Sequence, residues 1–170
     1  MNILHKEILR LAVPSILANI TVPLVGIVGI AVAGHLEGDA PVLIGGMSIG
    51  TLLFDLLYWN FSFLRIGTGG MTAQAYGRGD MNAAAGTLIR AVGVSMSIAL
   101  ICILIQWIFV DFVFLFVESS PAVRTLAESY FHIRIWAAPA TLTLMALKGW
   151  FIGMQDSISP MITDLIVNAM

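Results

Sequence analysis

The sequence predicts an all-α, polytopic membrane protein, and three observations carry that prediction. Hydrophobic residues make up 59% of the 170 positions and charged residues only 11%, where soluble domains carry about 25% charged residues; mean hydropathy is +0.96. Apolar stretches of about twenty residues recur, each long enough to cross a hydrocarbon core of about 30 Å at about 1.5 Å per residue. The first of them, Leu11 to Leu36, contains no Asp, Glu, Lys or Arg. The formal charge of −2 and the lack of a basic stripe give no support to nucleic-acid binding. Cys102 is the single cysteine and lies in an apolar run, which rules out a disulfide framework within the chain and argues against a cysteine metal site. No HExxH, GxSxG or Cys–His arrangement occurs, so no enzyme motif is present.

The spans follow in order. Met1 to Arg10 reads as an amphipathic lead-in, and helix 1 is expected over about 10–34. Ser15, Asn19, Pro23, Gly26, Ile30 and Ala33 recur at steps of three or four and gather small and polar groups on one face. Lipid offers Asn19 no hydrogen-bond partner, so that face turns toward other helices or a cavity. Two prolines invite a bend. The stretch is too long for the apolar region of a signal peptide and reads as a retained helix. Helix 2 is expected over about 42–65, with Tyr58, Trp59, Phe61 and Phe63 toward its far end. Ile66 to Asp80 is rich in Gly and small polar residues and reads as an ordered loop, a tight cytoplasmic elbow. It lacks the Gly-Lys-Ser/Thr end of a phosphate loop. Helix 3 is expected over about 82–109 and helix 4 over about 122–152, broken near Pro139. Helix 5 starts near 159 and reaches about half way across the bilayer by Met170. The expectation is therefore a fragment of a longer protein, or a chain that needs a partner. With the N-terminus in the cytoplasm, Lys6, Arg10, Arg65, Arg78, Arg90 and Lys148 lie toward the cytoplasmic side, and only Arg124 and Arg134 toward the outside.

Few residues in these spans could carry chemistry. Asp55 sits mid-helix, where a charge costs about 2.5 to 3.5 kcal/mol on insertion scales, so it must be neutralised, paired or wet. It is either a protonatable or cation-binding site, or a carboxylate bonded to Ser, Thr or Asn at a helix interface. Glu128 and His132 share a face near the outer surface and read first as a solvated helix end. Thr141 can satisfy a carbonyl freed by Pro139, and Met145 adapts to varied apolar ligands; packing is the competing role for both. Asp164 and Asn168 share a face of helix 5 that is expected to look into the bundle.

Three stretches then carry a resemblance: NITVPLVGIVGIAVAGHL in helix 1, FLRIGTGGMTAQAYGRGD after helix 2, and RIWAAPATLTLMALKGWFIGMQDSISP across helix 4 and its loop. In this order and spacing the chain resembles the multidrug and toxic compound extrusion (MATE) family, in its damage-inducible F-like branch. The resemblance implies a twelve-helix transporter of two six-helix lobes. Residues 1–170 would be part of the N-terminal lobe, its first four to five transmembrane helices. It also implies secondary active transport, in which a proton or sodium gradient drives export of drugs or organic cations across the cytoplasmic (inner) membrane. No cofactor is implied beyond the transported ion. The implied partners are amphipathic or cationic small molecules, membrane lipids and the remaining helices. One departure stands out. Where the branch carries Val-Asp-Thr-Ala, this chain reads Val28-Gly29-Ile30-Ala31, so Gly29 replaces the expected coupling aspartate. Asn168 resembles the first asparagine of the helix 5 cluster. Asp55, Asp164 and Asn168 are thus the cation-coupling candidates. Asn19, Gly26, Gly29, Thr141 and Met145 are the cavity candidates. Two other functions stay open: a truncated, non-transporting fragment or membrane interaction partner, and a lipid-linked sugar flippase of the same superfamily. The flippase would require more buried cations than helices 1 to 3 contain.

Overall fold

A computed structural model describes residues 16, 20, 23, 24, 26–35 and 39–169, the side chains at 165, 168 and 169 excepted. The described part of the first helix, α1, is Gly26–His35. Of the rest of the helix expected over about 10–34 only residues 16, 20, 23 and 24 are described; Asn19 and the amphipathic lead-in lie outside the described residues. The chain continues through α2 (Ala40–Trp59), α3 (Phe63–Gly77), α4 (Met81–Phe114), α5 (Pro121–Arg134), a single 3-10 turn (Ile135–Ala137), α6 (Ala138–Gly153) and α7 (Ile158–Ala169).

Local chemistry sets these boundaries. Pro41, Pro121 and Pro139 each fall in the first turn of a helix, where the missing N–H removes no bond. Asp80 opens α4 by accepting from the Ala83 backbone N–H at 2.9 Å, and Ser120 opens α5 by accepting from Val123. Gly79, at φ 73°, makes the left-handed turn between α3 and α4 that residues with a Cβ avoid. The expected break near Pro139 falls at the 3-10 turn just before it.

Two expectations need correction. Ile66 to Asp80 is not a loop: α3 is helical to Gly77. Helix 2 accordingly breaks at residues 60–62 and resumes instead of ending near 65. The Gly and Thr of this segment spoke for a turn only because their partner was unseen. Helix 3 also runs five residues past its expected end, to Phe114, because Val110 and Val113 are buried in the core.

Among the described residues, three units are long and apolar enough to cross a membrane: Ala40–Gly77, Met81–Phe114 and Pro121–Gly153. The first and third run side by side and parallel, α2 against α5 and α3 against α6, while α4 runs antiparallel along α3 and α6. Glycines make the parallel contact possible. A Cβ on Gly46 would come within 2.6 Å of Leu126, and one on Gly50 within 2.5 Å of Tyr130. On the other half, a Cβ on Gly149 would overlap the Arg65 carbonyl, and one on Gly153 would reach 2.6 Å from the Gly69 carbonyl oxygen. Gly46–Gly50 and Gly149–Gly153 are thus two small-xxx-small seams, which lets backbones approach where lipid gives helices no hydrophobic reason to associate. Between the seams, Phe131 stacks on Phe54 at 4.7 Å and on Phe109 at 5.7 Å, with Leu53, Ile135 and Leu142 fully buried around them. Ile89, Leu104 and Ile108 on α4 are more than two-thirds exposed, as a lipid-facing surface is.

Candidate functional site

Asp55 opens into a groove of about 580 Å³ lined by Leu52, Asp55, Leu56, Tyr58, Trp59, Ser62 and Met145. Helical spacing explains the lining: Asp55, Tyr58, Trp59 and Ser62 recur at steps of three and four on one face of α2 and its turn. Met145 closes the groove from α6. Asp55 lies about 22 Å along α2, near the middle of its span. It is exposed and has no ion-pair or hydrogen-bond partner among the described residues. Apart from Ser62, the walls are otherwise apolar, aromatic or thioether. Such a groove can hold an apolar body, and its carboxylate can attract a cation in a setting where water competes weakly.

Polar groups lie behind the lining residues. Tyr58 stacks on Phe54 at 5.6 Å, and its phenol meets the Thr141 side chain. The Thr141 hydroxyl lies 3.1 Å from the Ala137 carbonyl oxygen and back-bonds the 3-10 turn. Arg134, the last residue of α5, lays its guanidinium 4.8 Å over the Phe54 ring and donates to the Tyr130 hydroxyl at 2.7 Å. A second polar cluster joins α4 to α5, where His132 lies 3.1 Å from the buried Gln106 side-chain oxygen and its ring stacks on Trp107 at 3.9 Å. No group of three or more His, Cys, Asp or Glu that could hold a metal ion occurs among the described residues.

A family model, MatE, matches residues 14–170. The chain belongs to the MatE family. It is also 37% identical over 163 residues to DNA damage-inducible protein F of Escherichia coli (strain K12), an alignment covering 96% of this chain and 35% of that protein. The chain therefore spans about a third of the length of the curated relative it matches. Family and fold together make it a multi-pass membrane protein, in line with its three membrane-length units.

Within this MatE chain the sequence-selected residues separate. Asp55, Met145 and, through Tyr58, Thr141 come together. Asp164 does not line the groove; it forms a half-buried ion pair with Lys148 that ties α7 to α6. The Asn168 side chain and Asn19 lie outside the described residues. Gly26 has nothing within 4 Å of an added Cβ, and Gly29 only the Met47 methyl at 3.9 Å. The position where the aspartate was expected thus has room for a side chain. Sequence reasoning gave Arg134 no role. Arg134 was assigned toward the outside, yet it ends a helix of 14 residues and so sits about 20 Å in from Pro121. Counting from the Pro121 start would have placed it at mid-span. Tyr130 one turn earlier was the companion signal.

Proposed function

We propose that the chain is part of the N-terminal lobe of a secondary active transporter that couples inward movement of protons or sodium ions to export of drugs or organic cations. Its place is the cytoplasmic membrane, with the N-terminus inside. The observation that carries this reading is the MatE match over residues 14–170, set beside an apolar groove with one unpaired carboxylate at mid-span. Asp55 is the candidate for the coupling charge that Gly29 cannot supply. A mid-membrane carboxylate holds a proton or a cation as alternatives, because its charge is costly unless one of them is present. Asp164 is the weaker candidate, since Lys148 already balances it.

The test uses the full-length natural protein in proteoliposomes, with an imposed proton or sodium gradient and ethidium as the exported probe. One of the two gradients should drive ethidium movement, and Asp55→Asn should slow it by at least about tenfold. Ion-driven export that is unchanged in Asp55→Asn would remove Asp55 from the coupling role. No movement under either gradient would remove the transporter reading.

A further inference from the structure

A second groove, of about 200 Å³, lies between α3 and α4. Phe63, Leu64, Thr68 and Met71 line it from α3, and Arg90 and Val94 from α4. Arg90 is its one charged residue. No Asp, Glu, Lys or Arg occurs in the twenty residues between Arg90 and Asp111, and that length of helix covers about 30 Å, the thickness of a hydrocarbon core. Along α4 these two charges therefore mark the two edges of the bilayer. Arg90 is exposed and has no ion pair or hydrogen bond among the described residues. Its guanidinium folds back over Gly86, with one nitrogen 3.6 Å from where a Cβ would stand. That direction leads toward the start of α4 and out of the hydrocarbon, as a snorkelling arginine requires. The apolar part of the groove runs the other way. Val94 lies one turn deeper than Arg90, and because α3 is antiparallel to α4, Phe63 and Leu64 lie deeper than Thr68. Beyond Val94, the exposed Ile101, Leu104 and Ile108 continue the same face of α4 as an apolar stripe. Thr68 is only 6% exposed, yet its hydroxyl makes no hydrogen bond among the described residues. A cation at the bilayer edge, an unpaired hydroxyl in the same groove and an apolar slot leading inward complement a phosphate ester carried on an alkyl chain.

We propose that the α3–α4 groove is a binding site for one anionic phospholipid. The lipid phosphate accepts charge-assisted hydrogen bonds from the Arg90 guanidinium, and one acyl chain lies along Phe63, Leu64 and Val94. The phosphate supplies the counter-charge that the described residues do not, at the depth where lipid phosphates stand. Basic residues at this level of a membrane helix attract anionic headgroups. The site needs a bilayer and no transport, so it does not rest on the proposed function.

The experiment measures lipid retained on the full-length natural protein, in detergent and with no ion gradient, by native mass spectrometry. The probes are dioleoyl phosphatidylglycerol (anionic) and dioleoyl phosphatidylcholine (zwitterionic), which share their acyl chains. The tightest site should favour phosphatidylglycerol by about fivefold or more. Arg90→Gln should abolish that preference, and Arg90→Lys, which keeps the charge, should keep most of it. Gly67→Leu puts a side chain into the groove at a point where nothing lies within 4 Å of a Cβ. It should weaken retention of phosphatidylglycerol and leave the melting midpoint unchanged. Glycerol 3-phosphate, a headgroup without chains, should not displace the lipid. Equal retention of the two lipids, a preference that survives Arg90→Gln, or displacement by glycerol 3-phosphate overturns the proposal. A lowered melting midpoint in Gly67→Leu with lipid retention unchanged also overturns it, since another part of the protein would then fill the groove. Lipid preference without ion-driven transport would remove the proposed function and leave this site standing. Transport without the preference would do the reverse.

Discussion

The Thr72 hydroxyl is fully buried and has no hydrogen-bond partner among the described residues. An unpaired buried polar group carries a desolvation cost, whereas an apolar group of the same shape does not. Thr72→Val should therefore leave thermal stability unchanged or raise it by about 1 kcal/mol, read as a shift in the melting midpoint in detergent; a clear loss would mean that the hydroxyl is satisfied. Asp156 is the contrasting case. It accepts from the Ser159 hydroxyl at 2.5 Å and from the Ile158 and Ser159 backbone N–H groups at 3.0 and 3.2 Å. The Ser159 hydroxyl, followed by these N–H groups, holds its carboxyl below the usual carboxylate value. Because the folded value is the lower one, the stabilisation is present above the ordinary carboxylate range and is lost as pH falls through the folded value. Amide-exchange protection at Ile158 and Ser159 should fall in acid in the natural chain. In Asp156→Asn it should be low and nearly independent of pH across that range. That Asp55 is a lone carboxylate in an apolar run, and so needs a partner, a proton or water, could be read before any fold was known. The roles of Arg134 and Lys148 could not, because both depend on which helix lies alongside.

The membrane spans were legible because hydropathy over about twenty residues is a strong local signal. What misled was α3, whose Gly67, Thr68, Gly69, Gly70 and Thr72 carry the composition of a loop. Those small residues are what the helix needs: Gly69 sits 3.2 Å, by its notional Cβ, from the Gly149 carbonyl oxygen across the α3–α6 seam. A segment of low intrinsic helix preference is held helical by a partner about eighty positions away, which no local reading shows. Gly149 is the tightest point, because the obstacle is backbone and cannot rotate aside. Gly149→Val should cost at least about 1 to 3 kcal/mol, the usual range for overpacking. Gly93→Val, where nothing lies within 4 Å of a Cβ, should cost little. Equal losses for the two in a thermal melt would show that helix preference, not the seam, sets the effect. The Lys148–Asp164 pair is the charged counterpart of these seams and attaches α7 to α6.

Taken together, the two parallel spans are each interrupted, one at residues 60–62 and the other at Ile135–Ala137. Between them α4 runs unbroken from Met81 to Phe114. The family resemblance, legible in three separated stretches, implied this helical set; the break at residues 60–62 was not read from any of them. On one side of the breaks α4 lies close along the backbones of α3 and α6 and takes the Trp150 indole on its Ala84 carbonyl at 2.9 Å. On the other side it meets α5 through side chains, in the Phe109–Phe131 stack, the His132 contacts and the exposed Arg124–Asp111 pair. Hydrogen exchange by peptide should therefore be slower in α3, α6 and the first half of α4 than in α2 and α5; uniform protection would contradict this. Two joints beside an unbroken rod have a mechanical consequence. The α2–α5 pair, stitched by its own glycines, can swing as one flap while the α3–α6 pair stays clamped to the rod. Arg134 directly precedes one joint and Asp55 lies about one and a half turns before the other, so both side chains move with the flap.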